Sequence, residues 1–227
     1  MSNVLPKYAK LQQQFFKRLL LISISNCLIV KIVIIKYNAG NIFSVDYALK
    51  RLGVEAEITG DIEKIKTADK VIFPGVGEAE TTMSYLRKHK LDEVIRDLKQ
   101  PVLGICIGMQ LMCQSSEEGG NIPCLGIFDE EVKLFIPTKT VDKVPHMGWD
   151  TVQYCDPLLF NGLSQDTYFY YVHSYYATIG KNTIAATDYI HPYSAALQKD
   201  NFYAVQFHPE KSGAMGEVLL KNFLEIK

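Results

Sequence analysis

Apolar residues come in short unbroken runs through the first half of the chain and as alternating, tyrosine-rich stretches through the second. Ile32-Val33-Ile34-Ile35 is a continuous β-branched run, the pattern of a strand covered on both faces of a parallel sheet. It gives way to Asn38-Ala39-Gly40-Asn41, a turn-forming cluster. Val45, Ala48, Leu49 and Leu52 then fall on one side of a helix that Gly53 stops. Residues 54–59 and Lys70–Phe73 read as the second and third strands, the latter closing at Pro74-Gly75-Val76-Gly77. Helical patterns follow over 79–86 and 91–98. Residues 101–105 form a fourth strand that runs directly into Cys106, and 107–115 reads as helix with Leu111 and Met112 facing in. Strand and helix in alternation predict a parallel sheet with covered faces.

The second half has a different rhythm. Strand-like runs at 132–136, 168–173, 185–188, 195–198 and 204–207 are separated by turns. They suit antiparallel additions to the sheet better than further strand–helix–strand units. Residues 217–226 predict a closing helix with Val218, Leu219, Phe223 and Leu224 on its apolar side. No repeat and no low-complexity linker interrupts the pattern. The expectation is an α/β fold in a single domain over residues 30–227, a central, mostly parallel sheet with flanking helices and added antiparallel strands.

Composition narrows the function without naming it. A chain of 227 residues holds one domain with a sizeable core, or at most two small ones. A net charge of −1 gives no electrostatic case for nucleic acid or an acidic membrane. Five scattered cysteines without CxxC or zinc-ligand spacing favour free thiols in a reducing compartment, hence the cytoplasm. No metal, nucleotide or phosphate cradle is visible, so no cofactor is expected. Residues 1–29 stand apart. Lys7, Lys10, Lys17 and Arg18 precede an apolar stretch over 19–30 broken by Ser23, Ser25 and Asn26. That stretch lacks a small-residue cleavage site and is too short and polar for a membrane helix. An N-terminal extension or an upstream translation start fits it, as does a crude signal peptide.

The candidate chemistry lies in two segments about a hundred residues apart. Gly104-Ile105-Cys106-Ile107-Gly108-Met109-Gln110 places a cysteine between small residues at a strand-to-helix junction. A nucleophile elbow needs that arrangement, because the turn is tight and strained. The helix N-terminus favours thiolate, and the Ile107 N–H is placed to bind an oxyanion. A buried structural cysteine fits the string alone equally well. Cys27, Cys113, Cys124 and Cys155 lack the frame and read as structural. Phe207-His208-Pro209-Glu210 supplies a histidine at a strand end and an acid two residues on. His208 can take the thiol proton and Glu210 can fix its tautomer, so Cys106, His208 and Glu210 together form a candidate triad. A surface turn with an incidental histidine is the alternative for that segment taken alone. Pro74-Gly75-Val76-Gly77 ends its strand in glycines that allow close approach, and the Val76 amide, after a peptide flip, can serve as a second oxyanion donor. A simple turn fits there too.

Taken together, the cysteine and histidine segments resemble the class I (triad) glutamine amidotransferases. Tyr37-Asn38-Ala39-Gly40-Asn41, Pro74-Gly75-Val76-Gly77, Val144-Pro145-His146-Met147-Gly148-Trp149, Tyr170-Tyr171-Val172-His173-Ser174-Tyr175 and Phe207-His208-Pro209-Glu210-Lys211-Ser212 are similar to the glutaminase subunits of imidazole glycerol phosphate synthase. The resemblance spans from about Lys31 to the C-terminus. It implies that Cys106 attacks the side-chain amide of glutamine, releasing ammonia and then glutamate. It implies that the substrate lies against Gly77, Gln110, Glu118 and the main chain of Ser174 and Tyr175. It further implies a heterodimer in which ammonia passes to a (β/α)₈-barrel cyclase subunit in histidine biosynthesis. Asn41, Trp149, Tyr170 and Lys211 match positions near that interface, where a Trp and a Tyr are apt anchors. For Trp149, burial in the core is the competing expectation, and ordinary strand packing competes for the tyrosine-rich segment.

The chain departs from the family pattern at Lys36, where Asp is usual, at Asn38, where Gly is usual, and at Asp150, where Asn is usual. These changes leave the triad untouched and bear on the partner. Three other readings stand beside the first: a paralogous amidotransferase supplying ammonia to another acceptor, such as a surface sugar; a non-catalytic scaffold, against which the intact triad argues; and an amidotransferase of anthranilate or nucleotide synthesis, against which the strings at 146–149 and 170–175 argue. If the Val76 amide needs a flip, the free subunit is expected to be a poor glutaminase until partner and acceptor substrate are both bound.

Overall fold

A computed structural model describes residues 30–37, 42–75, 77–155 and 158–227. The chain divides into two units, Met1–Val30 and Lys31–Lys227, and all the described strands and helices belong to the second. The expected extension over 1–29, with Cys27, lies outside the described residues.

Four strands of the first half are parallel: β1 (Ile32–Ile35), β2 (Ala56–Thr59), β3 (Lys70–Phe73) and β4 (Val102–Ile105). The strand β13 (Phe202–Val205), from the far end of the chain, pairs parallel with β4. The order of this section is β2-β1-β3-β4-β13. In the continuous apolar runs, alternate residues serve opposite faces. Val33, Ile35, Val71, Phe73 and Val102 belong to one core, and Ile32, Ile34, Ile72, Leu103 and Ile105 to the other. The helices α3 (Ala79–Lys88), α4 (Leu91–Asp97) and α5 (Ile107–Met112) contribute to the first core. The second is covered by α1 (Ile42–Arg51) and α6 (Gly213–Glu225). Between β2 and β3 lies α2 (Ile62–Lys66), which the apolar pattern does not predict. Its five residues are too few to show a period, and its start is marked by Asp61 accepting from the Lys64 N–H at 3.0 Å.

The remaining strands are β5 (Ser115–Ser116), β6 (Ile122–Pro123), β7 (Glu131–Leu134), β8 (His146–Tyr154), β9 (Thr167–His173), β10 (Tyr175–Ala177), β11 (Thr183–Asp188) and β12 (Pro192–Lys199). Antiparallel pairing joins β13 to β12, β12 to β10 and β10 to β7. A branch runs from β12 through β11 and β8 to β9, also antiparallel. The mixed sheet is thus the one expected; the short strands β5, β6 and β10 add to it, the closing helix starts at Gly213 rather than 217, and two further differences bear on the site. The helix after Cys106 ends at Met112 rather than near Ser115, because Cys113 turns extended and the Gln114 N–H bonds to Glu130 O at 2.9 Å. The nine-residue β8 is not among the expected strands, since Gly148, at φ +140°, breaks its pattern and Met147 and Trp149 point outward. Among the described residues no helix is long and apolar enough to cross a membrane.

Candidate active site

In open α/β sheets the carboxyl ends of the parallel strands are where ligands bind. Here those ends bring together Pro74 and Gly75 after β3, Cys106 after β4 and Gln206 to His208 after β13. Cys106 adopts φ 53° and ψ −112°, a strained conformation for a side chain with a Cβ. Its N–H bonds to Val205 O at 2.8 Å, and its own carbonyl accepts from Met109 and Gln110 at 3.0 and 3.2 Å. The elbow is held by contacts that only glycine permits. A Cβ on Gly108 would lie 2.2 Å from Phe73 O, and one on Gly75 would lie 2.4 Å from both Gly108 N and Ile105 O. Ile107 opens α5, where the first N–H groups of a helix have no intrahelical acceptor, and it lines the pocket.

His208 is buried, with Nδ1 2.8 Å from Glu210 Oε1. Burial is the strongest single influence on the imidazole and favours its neutral form. The Cys106 sulfur, acting as charge and hydrogen-bond partner, and then Glu210 together outweigh burial and push the pKa up to about 10. Sulfur, imidazole and carboxylate are therefore in mutual reach, with the ring in the middle. Pro209–Lys211 form a 3₁₀ turn that folds Glu210 back onto the ring. Ser212 Oγ donates to His208 O at 2.7 Å and accepts from the Tyr170 N–H at 3.0 Å. The His208 N–H donates to Tyr170 O at 2.9 Å, so the histidine loop is fastened to β9 by both polar groups of the Tyr170 backbone.

A cavity of about 410 Å³ opens over the sulfur. Cys106, Ile107 and His208 line it, together with every described residue expected to contact substrate: Gly77, Gln110, Glu118, Ser174 and Tyr175. Glu118 accepts from the Ala79 N–H at 2.8 Å, and burial raises its carboxyl despite that bond. The lining also includes Gly75, from the glycine-rich strand end expected to allow close approach, then Pro145, Val172 and His173, to which the sequence assigns no individual role, and Lys211, expected instead at the partner interface. Gln206 is a further residue of the site that the sequence motifs do not mark. It is fully buried, and its Nε2 lies 3.8 Å from the Cys106 sulfur. Its position two residues before His208 on an extended run, sharing a side with it, is the available signal.

From His173 in the pocket lining, a chain of largely buried polar groups runs away from the cavity. His173 Nδ1 lies 2.7 Å from Tyr175 O, and its Nε2 lies 3.4 Å from Tyr193 Oη. The same hydroxyl is 3.2 Å from His146 Nδ1, and His146 Nε2 is 3.3 Å from Asp150. Tyr171 and Tyr189 stack on the two faces of His146 at 4.8 and 3.9 Å. Burial lowers His146 to about 4 and His173 to about 3.

Trp149 is 55% exposed, so it is not the core residue of the competing expectation. It pairs with Tyr170 across β8 and β9, edge to face at 6.0 Å, and Lys211 Nζ sits 6.0 Å over the Tyr170 ring. Three of the four expected interface residues are therefore one surface cluster. Asn41, together with Asn38 and the expected oxyanion donor Val76, lies outside the described residues. Lys36 is exposed at the end of β1. The other described thiols do not enter the site: burial raises Cys113 strongly and Cys124 to about 12, and Cys155 is exposed elsewhere.

Residues 33–226 match the family profile of class-I glutamine amidotransferases. The imidazole glycerol phosphate synthase subunit HisH of Bacteroides fragilis strain YCH46 is 64% identical over 197 residues, 87% of this chain and all of that protein. The HisH subunit of Bacteroides thetaiotaomicron is 61% identical over the same shares. That of Yersinia pseudotuberculosis is 48% identical over 86% of this chain and 99% of its own. Among solved structures, a glutamine amidotransferase matches with a TM-score of 0.66 at 20% identity, covering 85% of this chain and 97% of that one. Another glutamine amidotransferase, from Thermotoga maritima, matches with a TM-score of 0.56 at 16% identity, over 87% and 81%. At such identities the likeness concerns the fold.

Proposed function

Because the chain belongs to the class I glutamine amidotransferase family, within the group of HisH subunits, we propose that it hydrolyses glutamine through Cys106, His208 and Glu210. In this reading the Cys106 thiol gives its proton to His208, and the sulfur attacks the side-chain amide carbon of glutamine. The Ile107 N–H, with that of Val76, takes the oxyanion. The imidazolium then protonates the departing nitrogen, so ammonia leaves and a γ-glutamyl thioester remains. Water, losing a proton to His208, attacks the thioester and releases glutamate and the thiol. Glu118 is the acid placed to receive the α-ammonium of the substrate, while Gly77 and the Ser174–Tyr175 main chain shape its seat.

One observation carries the reading. A cysteine in a strained elbow stands against an imidazole whose far nitrogen is 2.8 Å from a buried carboxylate, at the floor of a pocket of about 410 Å³. The catalytic domain is residues 30–227, with 1–29 an extension to it, and the working form is a cytoplasmic heterodimer. Trp149, Tyr170, Lys211 and Asn41 dock a (β/α)₈-barrel cyclase, which uses the ammonia to make imidazole glycerol phosphate in histidine biosynthesis. Co-purification with the barrel cyclase of the same genome tests the pairing. The complex is expected to form and to stimulate glutamine turnover; neither happening ends the histidine assignment. In that complex Cys106→Ala is expected to abolish glutamine-dependent synthesis and spare ammonia-dependent synthesis. Glutamine-dependent synthesis that survived the change would remove the triad.

A further inference from the structure

We propose that Gln206 takes part in the reaction as the amide donor that holds the Cys106 sulfur, with its polarity fixed by the Tyr175 carbonyl through Gln110. The inference rests on the reading of Cys106 as nucleophile. The register between β4 and β13 pairs Ile105 with Val205. The residues that follow, Cys106 and Gln206, therefore leave the sheet side by side. The Gln206 backbone is fastened by its N–H to Ala195 O at 2.8 Å, and its side chain has no contact with solvent.

An isolated side-chain amide can be turned either way round, but this one cannot. The Tyr175 carbonyl oxygen only accepts. Gln110 must therefore present its NH₂ group there, and does so at 2.7 Å. The same nitrogen is 2.9 Å from Gln206 Oε1, so both of its hydrogens are committed. Gln206 is left with its own NH₂ toward the sulfur, at 3.8 Å. Turning Gln206 over would set two NH₂ groups against each other and an oxygen against the sulfur. His173 Nδ1, 2.7 Å from the same Tyr175 oxygen, adds a second donor to that carbonyl and helps keep it in place. The sulfur thus faces two donors of different kinds. His208 exchanges a proton with it during the reaction, whereas Gln206 keeps its hydrogen throughout and favours the charged sulfur.

The test is alkylation of the full chain by iodoacetamide across pH, read peptide by peptide by mass spectrometry, with exposed Cys155 as the internal reference. Gln206→Glu reverses the polarity facing the sulfur, and Gln206→Met removes the donor at similar volume. The Cys106 rate near neutral pH is expected to fall about tenfold, the scale of one hydrogen bond to a charged group. The deficit should close at high pH, where every thiol is ionised. Unchanged neutral-pH rates in folded variants overturn the proposal. Should both substitutions prevent folding, Gln110→Met removes the group that orients Gln206. It is expected to give the same loss, and a normal Cys106 rate there counts equally against the idea. If Cys106 of the unaltered chain reacts no faster than Cys155, the nucleophile reading fails instead.

Discussion

Two walls of the pocket each present a buried histidine, and the two behave oppositely. His208, on the wall built from the parallel strands, is raised to about 10, while His173, on the antiparallel wall, is lowered to about 3. Burial pulls both toward the neutral form and is the largest influence on each. The difference is the company. His208 meets a sulfur and a carboxylate, both of which can carry negative charge. His173 meets a carbonyl, a phenol and other imidazoles, none of them an anion at neutral pH. The comparison teaches that burial alone makes a histidine a fixed strut. Even the Asp150 carboxylate, 3.3 Å from His146, does not offset burial there, whereas sulfur and carboxylate together do so at His208.

The most severe way to break the contrast is to remove the sulfur. Cys106→Ala is expected to lower glutamine turnover by at least about 10⁴-fold. It should also let the His208 imidazole titrate well below 10, which NMR of the ring protons would show. Next in size is damage to the elbow that presents the sulfur. Gly108→Ala drives a Cβ to 2.2 Å from Phe73 O and should cost roughly 3 kcal/mol or more of unfolding free energy. Gly162→Ala, with φ +76° but open space around it, should cost only about 1 kcal/mol.

The pH dependence of stability separates the walls without mutation of either. A raised imidazole contributes stability that is complete below its ordinary value near 6.5 and is lost as pH climbs through about 10. Lowered imidazoles contribute stability present above 6.5 and lost as pH falls through about 4 for His146 and 3 for His173. Urea unfolding should therefore show an alkaline limb that Cys106→Ala flattens and an acid limb that it leaves alone. Each limb should be on the order of a few kcal/mol. A variant whose alkaline limb matches that of the unaltered chain would place the raised imidazole under some other control.

Smaller still is Tyr193→Phe, which removes the hydroxyl shared by His146 and His173. It should cost about 1–2 kcal/mol while leaving the His208 titration in place. Smallest is Trp149→Ala. The ring is 55% exposed, so the free chain should change by less than about 0.5 kcal/mol. Affinity for the barrel cyclase, by contrast, should drop by about 2 kcal/mol if the ring is an interface anchor. Equal losses in both measurements would make Trp149 a packing residue after all.

Legibility in the sequence follows the same division. β-Branched runs in the parallel half announce buried strands by composition alone, and β1 and β3 begin and end where the pattern places them. The two segments that meet at the sulfur carry their signal locally, in a glycine frame and in a histidine followed closely by an acid. The antiparallel wall carries its signal only across strands. His146 faces His173, and Trp149 faces Tyr170, through a register that no single segment displays. For the same reason β8 is hard to read: its glycine and outward Met147 and Trp149 look like a turn until β9 lies beside it. Gln206 is hidden differently, as one polar residue in an apolar strand end whose partners are 96 and 100 residues away in sequence.

The clamp between β9 and the histidine loop has a mechanical consequence. Tyr170 turns its ring outward to Trp149 and Lys211 while its peptide grips His208 through one hydrogen bond and Ser212 through another. A body seated on that ring would touch the same residue whose backbone holds the histidine loop.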